Sequence, residues 1–278
     1  QAAGPQAAGA AQGDAAALHA AAAEGCAEVV RHLCHAKADL NVALPDSALV
    51  LFEAAGAFVK AYVGATPLIT ASFHGHVEVV RCLCEAGAAK EKAARRGSRP
   101  LHAAACRDHV GVVQYLCSIG ADKDAEDTSS GTSPLHAAAI AGRLDVARFL
   151  CETGANADKP AYDGGTPLQA AAFFGHLEIT RYLWGAGAKK DVGRKGSTPL
   201  HAAAVSGHQA LVRFLCHARA DMGRSDDDGT WPLMAAALRG HLEVVQCLCE
   251  AGADKDRAKQ DGATPLHLSA SAGQPEVV

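Results

Sequence analysis

The stretch Thr198-Pro-Leu-His-Ala-Ala-Ala-Val-Ser-Gly-His-Gln-Ala-Leu-Val-Arg-Phe-Leu-Cys216 decides the fold. Thr198 can cap free N–H groups, and Pro199 suits a first helical turn, where its missing donor costs nothing. Leu-His-Ala-Ala-Ala makes a short helix with a small face, since alanine is the best helix former. Gly207-His208 breaks that helix, and a second one follows. Neither is long enough to be stable alone, so each must lean on something else.

The same grammar recurs along the chain. A Pro-Leu pair stands at Pro67, Pro100, Pro134, Pro167, Pro199, Pro232 and Pro265, with spacings of 33, 34, 33, 32, 33 and 33. An earlier unit has Ala17-Leu18-His19. A second leucine lies sixteen residues on, at Leu33, Leu83, Leu116, Leu150, Leu183, Leu215 and Leu248. Alanines four past the proline (Ala71, Ala104, Ala138, Ala171, Ala203, Ala236) let neighbouring units approach closely. The second helices close at Gly87, Gly120, Gly154, Gly187 and Gly252, where glycine suits a left-handed cap. The pattern predicts an all-α solenoid of stacked helix-turn-helix units.

A period near 33 with Thr-Pro-Leu-His-x-Ala, Gly-His and Leu-x-x-Gly-Ala-Asp resembles the ankyrin repeat. The resemblance covers residues 14–278, about eight repeats behind a low-complexity leader at 1–13. The last repeat stops inside its second helix. With no initiating Met, the sequence reads as part of a longer chain in which further repeats follow.

Departures from the pattern carry physical expectations. Arg99 and Trp231 stand where a capping Thr is usual, and Asp108 replaces the inter-helix Gly. Lys37 and Arg219 replace the closing Gly, at a cost of about 1 kcal/mol each if left-handed. The first and sixth repeats are therefore expected to be locally weaker. Near residues 43–62 the chain carries an insertion. Its stretch from Asp46 to Ala57 resembles a degenerate second helix, which suggests an added outer helix, with a loop as the alternative.

Composition excludes several functions. A net charge of -4 argues against a general phosphate-binding surface. No apolar run reaches the length of about eighteen residues that a membrane span needs. Ten histidines recur at repeat positions, five after Pro-Leu or its equivalent and five after the inter-helix Gly or its replacement. They read as partners of caps and loops, because their spacing is not that of metal ligands. Six cysteines (Cys34, Cys84, Cys117, Cys151, Cys216, Cys249) occupy one repeat position. Stacked helices lie about 8–10 Å apart, too far for equivalent cysteines to bridge. They read as small buried hydrophobes in a reducing, cytoplasmic compartment. Cys26, His32, Cys34 and His35 cluster locally but match no zinc spacing. No phosphate loop, nucleophile elbow or His-Glu-x-x-His is present. No cofactor, metal or catalytic residue is expected.

The resemblance implies partner binding on a concave face built from first helices and loop tips. Carried onto the residues before each inter-helix break, it singles out Phe73, His74, Arg107, Phe173, Phe174, Ser206, Leu238 and Arg239. The second residue of each pair is expected to be the more exposed. Aromatic residues and Arg dominate binding hot spots, which favours Phe174 and Arg107. The loop tips alternate in charge. Residues 90–99 carry five cations against one anion, and 122–127 one cation against four anions. Residues 189–195 carry four cations against one anion, and 221–228 one against four. These tips read either as a code that orients a partner or as solvated loops. The function expected is a monomeric protein-binding scaffold. The alternatives are the targeting arm of a larger enzyme, a kinase or ubiquitin ligase, and a redox or metal sensor.

Overall fold

A computed structural model describes residues 5–44 and 63–277, with the backbone alone for 5–12. Its regular elements are helical, and the chain divides into two compact units, residues 1–155 and 156–278. Of the predicted insertion at 43–62, only residues 43 and 44 fall within the described residues.

The first unit holds four helix pairs: α1 (Pro5–Glu24) with α2 (Ala27–His35), α3 (Pro67–His74) with α4 (Val77–Glu85), α5 (Pro100–Cys106) with α6 (Val110–Ser118), and α7 (Pro134–Ala141) with α8 (Leu144–Glu152). The second holds α9 (Pro167–Phe173) with α10 (Leu177–Gly185), α11 (Pro199–Val205) with α12 (Gln209–His217), α13 (Pro232–Arg239) with α14 (Leu242–Glu250), and α15 (Pro265–Ser271). Within each unit first helices pack on first helices and second on second. Ala71, Ala104, Ala138, Ala171, Ala203 and Ala236 are all fully buried, so the small face sets the close spacing.

Helix starts follow the sequence closely. The side chains of Thr66, Ser133, Thr166, Thr198 and Thr264 accept a hydrogen bond from the N–H three residues on. Arg99 has no acceptor to offer and Trp231 makes no such bond. The Pro-Leu histidines close the cap from the other side. His136 Nδ1 accepts from Ser133 N–H at 3.1 Å, and His201 Nδ1 from Thr198 N–H at 3.1 Å. These rings do the work of Glu or Gln in a capping box.

The opposite nitrogen ties each ring to the following loop. His102 Nε2 donates to Thr132 O at 3.0 Å, His201 Nε2 to Thr230 O at 2.9 Å and His19 Nε2 to Val42 O at 3.2 Å. Burial holds His19 and His102 down at about 4 against a weaker upward pull from these carbonyls. In the fifth repeat Gln169 takes the histidine's place and keeps the loop contact, donating to Ser197 O at 3.0 Å.

The loops are narrow fingers, most of them closed by a backbone hydrogen bond. Ala94 N–H donates to Ser98 O, Ala161 to Gly165 and Asp226 to Thr230. In the first finger Leu44 N–H donates to Ala65 O at 2.7 Å. Leu44 and Ala65 thus pair as Ala94 and Ser98 do in the second finger. The third finger is fixed by Asp127, whose buried carboxylate accepts from Ser129, Ser130 and Thr132. Burial alone would raise its pKa, but these hydrogen bonds prevail and hold it well below the usual carboxylate range.

Lys37, Asp108 and Arg219 all adopt positive φ, at 60°, 66° and 59°. A side chain there is strained, as the sequence anticipates for Lys37 and Arg219. Arg219→Gly should raise stability by about 1 kcal/mol in chemical denaturation and slow amide exchange in α12.

The buried histidines set a pH dependence. Their folded pKa lies below the unfolded value, so their stabilisation is complete above about pH 6.5 and is lost as pH falls towards 4. Between pH 7 and pH 5 each of His19 and His102 should cost about 2 kcal/mol of unfolding free energy. His102→Gln should remove one such step while leaving stability at pH 7 within about 1 kcal/mol, because Gln169 shows that an amide fits the position. Urea midpoints measured at both pH values check this.

Candidate partner-binding surface

The residues singled out in the sequence lie at the C-terminal ends of first helices, just before each break. In the first unit, Phe73 closes α3 and is 1% exposed. The guanidinium of Arg107, at the end of the next first helix, lies 5.0 Å from its ring centre. His74 meets the same ring edge-on at 5.2 Å and stacks on His76 at 6.1 Å. Phe73 is therefore a core residue under a cationic cover, which corrects its placement on the binding surface. Arg107 and His74 are half-buried and remain on that face.

The second unit repeats this constellation with the cover removed. Phe173 and Phe174 meet edge-to-face at 5.3 Å, and Phe174 stacks on His176 at 6.5 Å. Here both rings are open, Phe173 at 47% and Phe174 at 45% exposed. The residue equivalent to Arg107 is Ser206, seven past the proline of the next repeat in both cases. Serine is too short to reach across, so Phe173 stays uncovered. The expectation that the second residue of a pair is the more exposed holds for Phe73 and His74 but not for Phe173 and Phe174. Leu238, 42% exposed, and Arg239 extend the same face on α13. Leu238 has Ala272 at its covering position. Phe173 and Leu238 are thus exposed apolar side chains at equivalent positions, six past the proline of their repeats.

The break behind this face is locked from the following repeat. His109 Nε2 donates to Phe73 O at 2.9 Å, His208 Nε2 to Phe173 O at 2.9 Å and His241 Nε2 to Val205 O at 3.0 Å. The ring lies against the inter-helix glycine. A Cβ on Gly175 would lie 2.6 Å from His208 Cε1. Where Asp108 replaces that glycine, the next repeat supplies Arg143, whose Nε donates to Cys106 O at 3.0 Å.

The finger tips mix internal and external charge. Arg99 pairs with Glu91 at 3.0 Å, and the other oxygen of Glu91 accepts from Asp122 N–H. Lys90 and Lys123 donate to the carbonyls of Ile119 and Thr153 at the ends of second helices. Arg194 pairs with Asp163 at 3.4 Å across neighbouring fingers, with both side chains more than half exposed, an arrangement worth little energy.

The cysteine column departs from the sequence reading. Cys34, Cys84, Cys117, Cys151 and Cys216 are half-buried and Cys249 is exposed; of the ten cysteines only Cys247 is fully buried. The position lies on the flank of the second helix, not on its inward face, which the leucines fill. Burial still pushes the thiols of Cys84, Cys151 and Cys216 up to about 11.

Comparison with known proteins agrees with this architecture. A family model for ankyrin repeats in three copies matches residues 46–127, 95–161, 120–194, 157–226 and 218–278, and a single-repeat ankyrin model matches 15–43. The crystal structure of the human ASB11 ankyrin repeat domain superposes with a TM-score of 0.67 at 24% identity, covering 76% of this chain and 96% of that one. None of the curated proteins matches the sequence. No described helix is long and apolar enough to cross a membrane.

Thiol reactivity should follow this placement. In the folded protein at pH 7, a maleimide or Ellman reagent should label exposed Cys26 well before Cys84, Cys151 and Cys216, as read by peptide mass mapping.

Proposed function

Because the chain belongs to the ankyrin repeat family, we propose that it holds a protein partner on the face carrying Phe173, Phe174, Leu238 and Arg239. Ankyrin repeats serve as protein–protein interaction modules, and the finer reading is where this one binds. The observation that carries it is the open Phe173–Phe174 pair, set on a framework that buries the equivalent Phe73. A rigid, half-exposed aromatic pair offers large contact area at small entropic cost. His74 and Arg107 offer the corresponding face of the first unit, with a cationic character there. Ser206 matters by being small. Free cysteines suit a reducing compartment such as the cytoplasm, and we expect a monomer.

Affinity capture with wild type beside Phe173→Ala/Phe174→Ala tests the reading. Partners captured by the wild type should weaken by about 30-fold or more in the variant, corresponding to the loss of a hot spot of about 2 kcal/mol. Ser206→Arg should also weaken them by covering Phe173, and Arg107→Ala/His74→Ala should weaken any partner that spans the first unit. Unchanged partner affinities in all three variants, each folded by circular dichroism, would remove this surface.

A further inference from the structure

Two finger tips carry one pattern of two cations, a glycine and a serine. It reads Arg95-Arg96-Gly97-Ser98 in the second finger and Arg194-Lys195-Gly196-Ser197 in the fifth. The cations are exposed in both. The serines differ. Ser98 is 7% exposed. The third finger packs onto the glycine before it: Thr128 N–H donates to Arg96 O at 3.1 Å, and a Cβ on Gly97 would clash with Thr128 N. Ser197 is half-buried, and its hydroxyl makes no hydrogen bond among the described residues.

The turn that carries Ser197 is held through its backbone. Gln169 Oε1 accepts from Arg194 N–H at 2.7 Å, and Gln169 Nε2 donates to Ser197 O at 3.0 Å. The side chains of Arg194 and Lys195 are left to solvent. Arg194 pairs only with the exposed Asp163, a contact weak enough to exchange for another carboxylate. Lys195 adopts φ 50° and ψ 44°, a strained left-handed conformation for a residue with a side chain. Arg96, at the equivalent position, does not. Opening the fifth tip into an extended strand therefore relieves strain, whereas opening the second does not.

We propose that Ser197 is a phosphorylation site for a basophilic protein kinase, one that reads cations two and three residues before its serine. Carboxylates in the cleft of such a kinase pair with Lys195 and Arg194, a charge pattern that selects the substrate. The reaction is phosphoryl transfer from ATP. Ser197 Oγ bonds to the γ-phosphorus as the bond from that phosphorus to the bridging oxygen of ADP breaks, and the hydroxyl proton passes to the catalytic carboxylate of the kinase. The fold selects Ser197 over Ser98, because one serine is half open on a strained turn and the other is buried on a relaxed one. The proposal does not depend on the Phe173–Phe174 face.

The sixth finger registers the modification. Asp227 rests on the fifth tip: its N–H donates to Lys195 O at 2.9 Å, and a Cβ on Gly196 would clash with its carboxylate. A phosphate of charge about -2 beside Asp226, Asp227 and Asp228 repels them. It also lowers the fifth tip, residues 189–197, from four cations against one anion to a net charge of about +1. Phosphorylation thus releases the sixth finger from the fifth.

Incubation of the whole folded chain with magnesium ATP and the catalytic subunit of the cyclic-AMP-dependent protein kinase tests this, with sites assigned by tandem mass spectrometry. Ser197 should take up phosphate about tenfold faster than Ser98, or more. Arg194→Ala should lower kcat/KM at Ser197 by about tenfold, and Arg194→Lys should restore much of it. On phosphorylation, amide exchange over residues 224–230 should quicken by about threefold or more, and Asp227→Asn should blunt that change. An unmodified Ser197, phosphate on Thr198 instead, or equal rates at Ser98 and Ser197 would overturn the assignment. Unchanged exchange over 224–230 would overturn the release of the sixth finger.

Discussion

An imidazole reaching back over a glycine holds neighbouring repeats in register. The histidine at the start of a second helix donates from Nε2 to a carbonyl at the end of the preceding first helix, and its ring fills the space that a Cβ would need. A carbonyl at a helix terminus has no partner within its own helix, so the bond satisfies a group that would otherwise need water. The same contact dictates that the residue beneath be left-handed and without a side chain. Asp108 breaks the rule, and there the partner changes with it: Arg143 reaches the same class of carbonyl with a longer, flexible arm. Local strain and long-range packing are thus coupled through single positions one repeat apart.

This lock separates framework from surface. Backbone carbonyls do the holding, so the side chains just before the break are free to vary. Phe73 and Phe173 occupy equivalent positions on equivalent helices, yet one lies inside and the other out. The difference comes from the neighbour, Arg107 in one case and Ser206 in the other. Covering an aromatic face with a guanidinium removes apolar area from water while leaving the charge solvated. A single residue in the adjoining repeat therefore decides whether a phenylalanine stabilises the stack or stays open to solvent.

Much of this is legible in the sequence, because each repeat samples the same environment again. The period, the capping threonines, the small buried face and the left-handed positions at Lys37 and Arg219 all follow from local chemistry. The roles of the repeat histidines also follow, since their spacing matches caps and not ligands. What local reading misses is set by the residue one repeat away. The burial of Phe73 depends on Arg107, and the half-exposure of the cysteine column depends on which flank of α4, α8 or α12 meets its neighbour. The proposed extra helix within 46–57 lies outside the described residues, although the backbone fixes where its segment leaves and rejoins.

That departure and return are one hydrogen bond apart, Leu44 to Ala65. A segment entering and leaving through adjacent strands of a finger imposes no displacement on the helices behind it, and the added length costs only loop-closure entropy, which grows slowly with chain length. The fingers thus act as ports at which new sequence can be grafted without retuning the rest. Evolution of this kind of molecule can accordingly proceed by two independent routes, repainting a fixed face residue by residue or plugging whole segments into the tips.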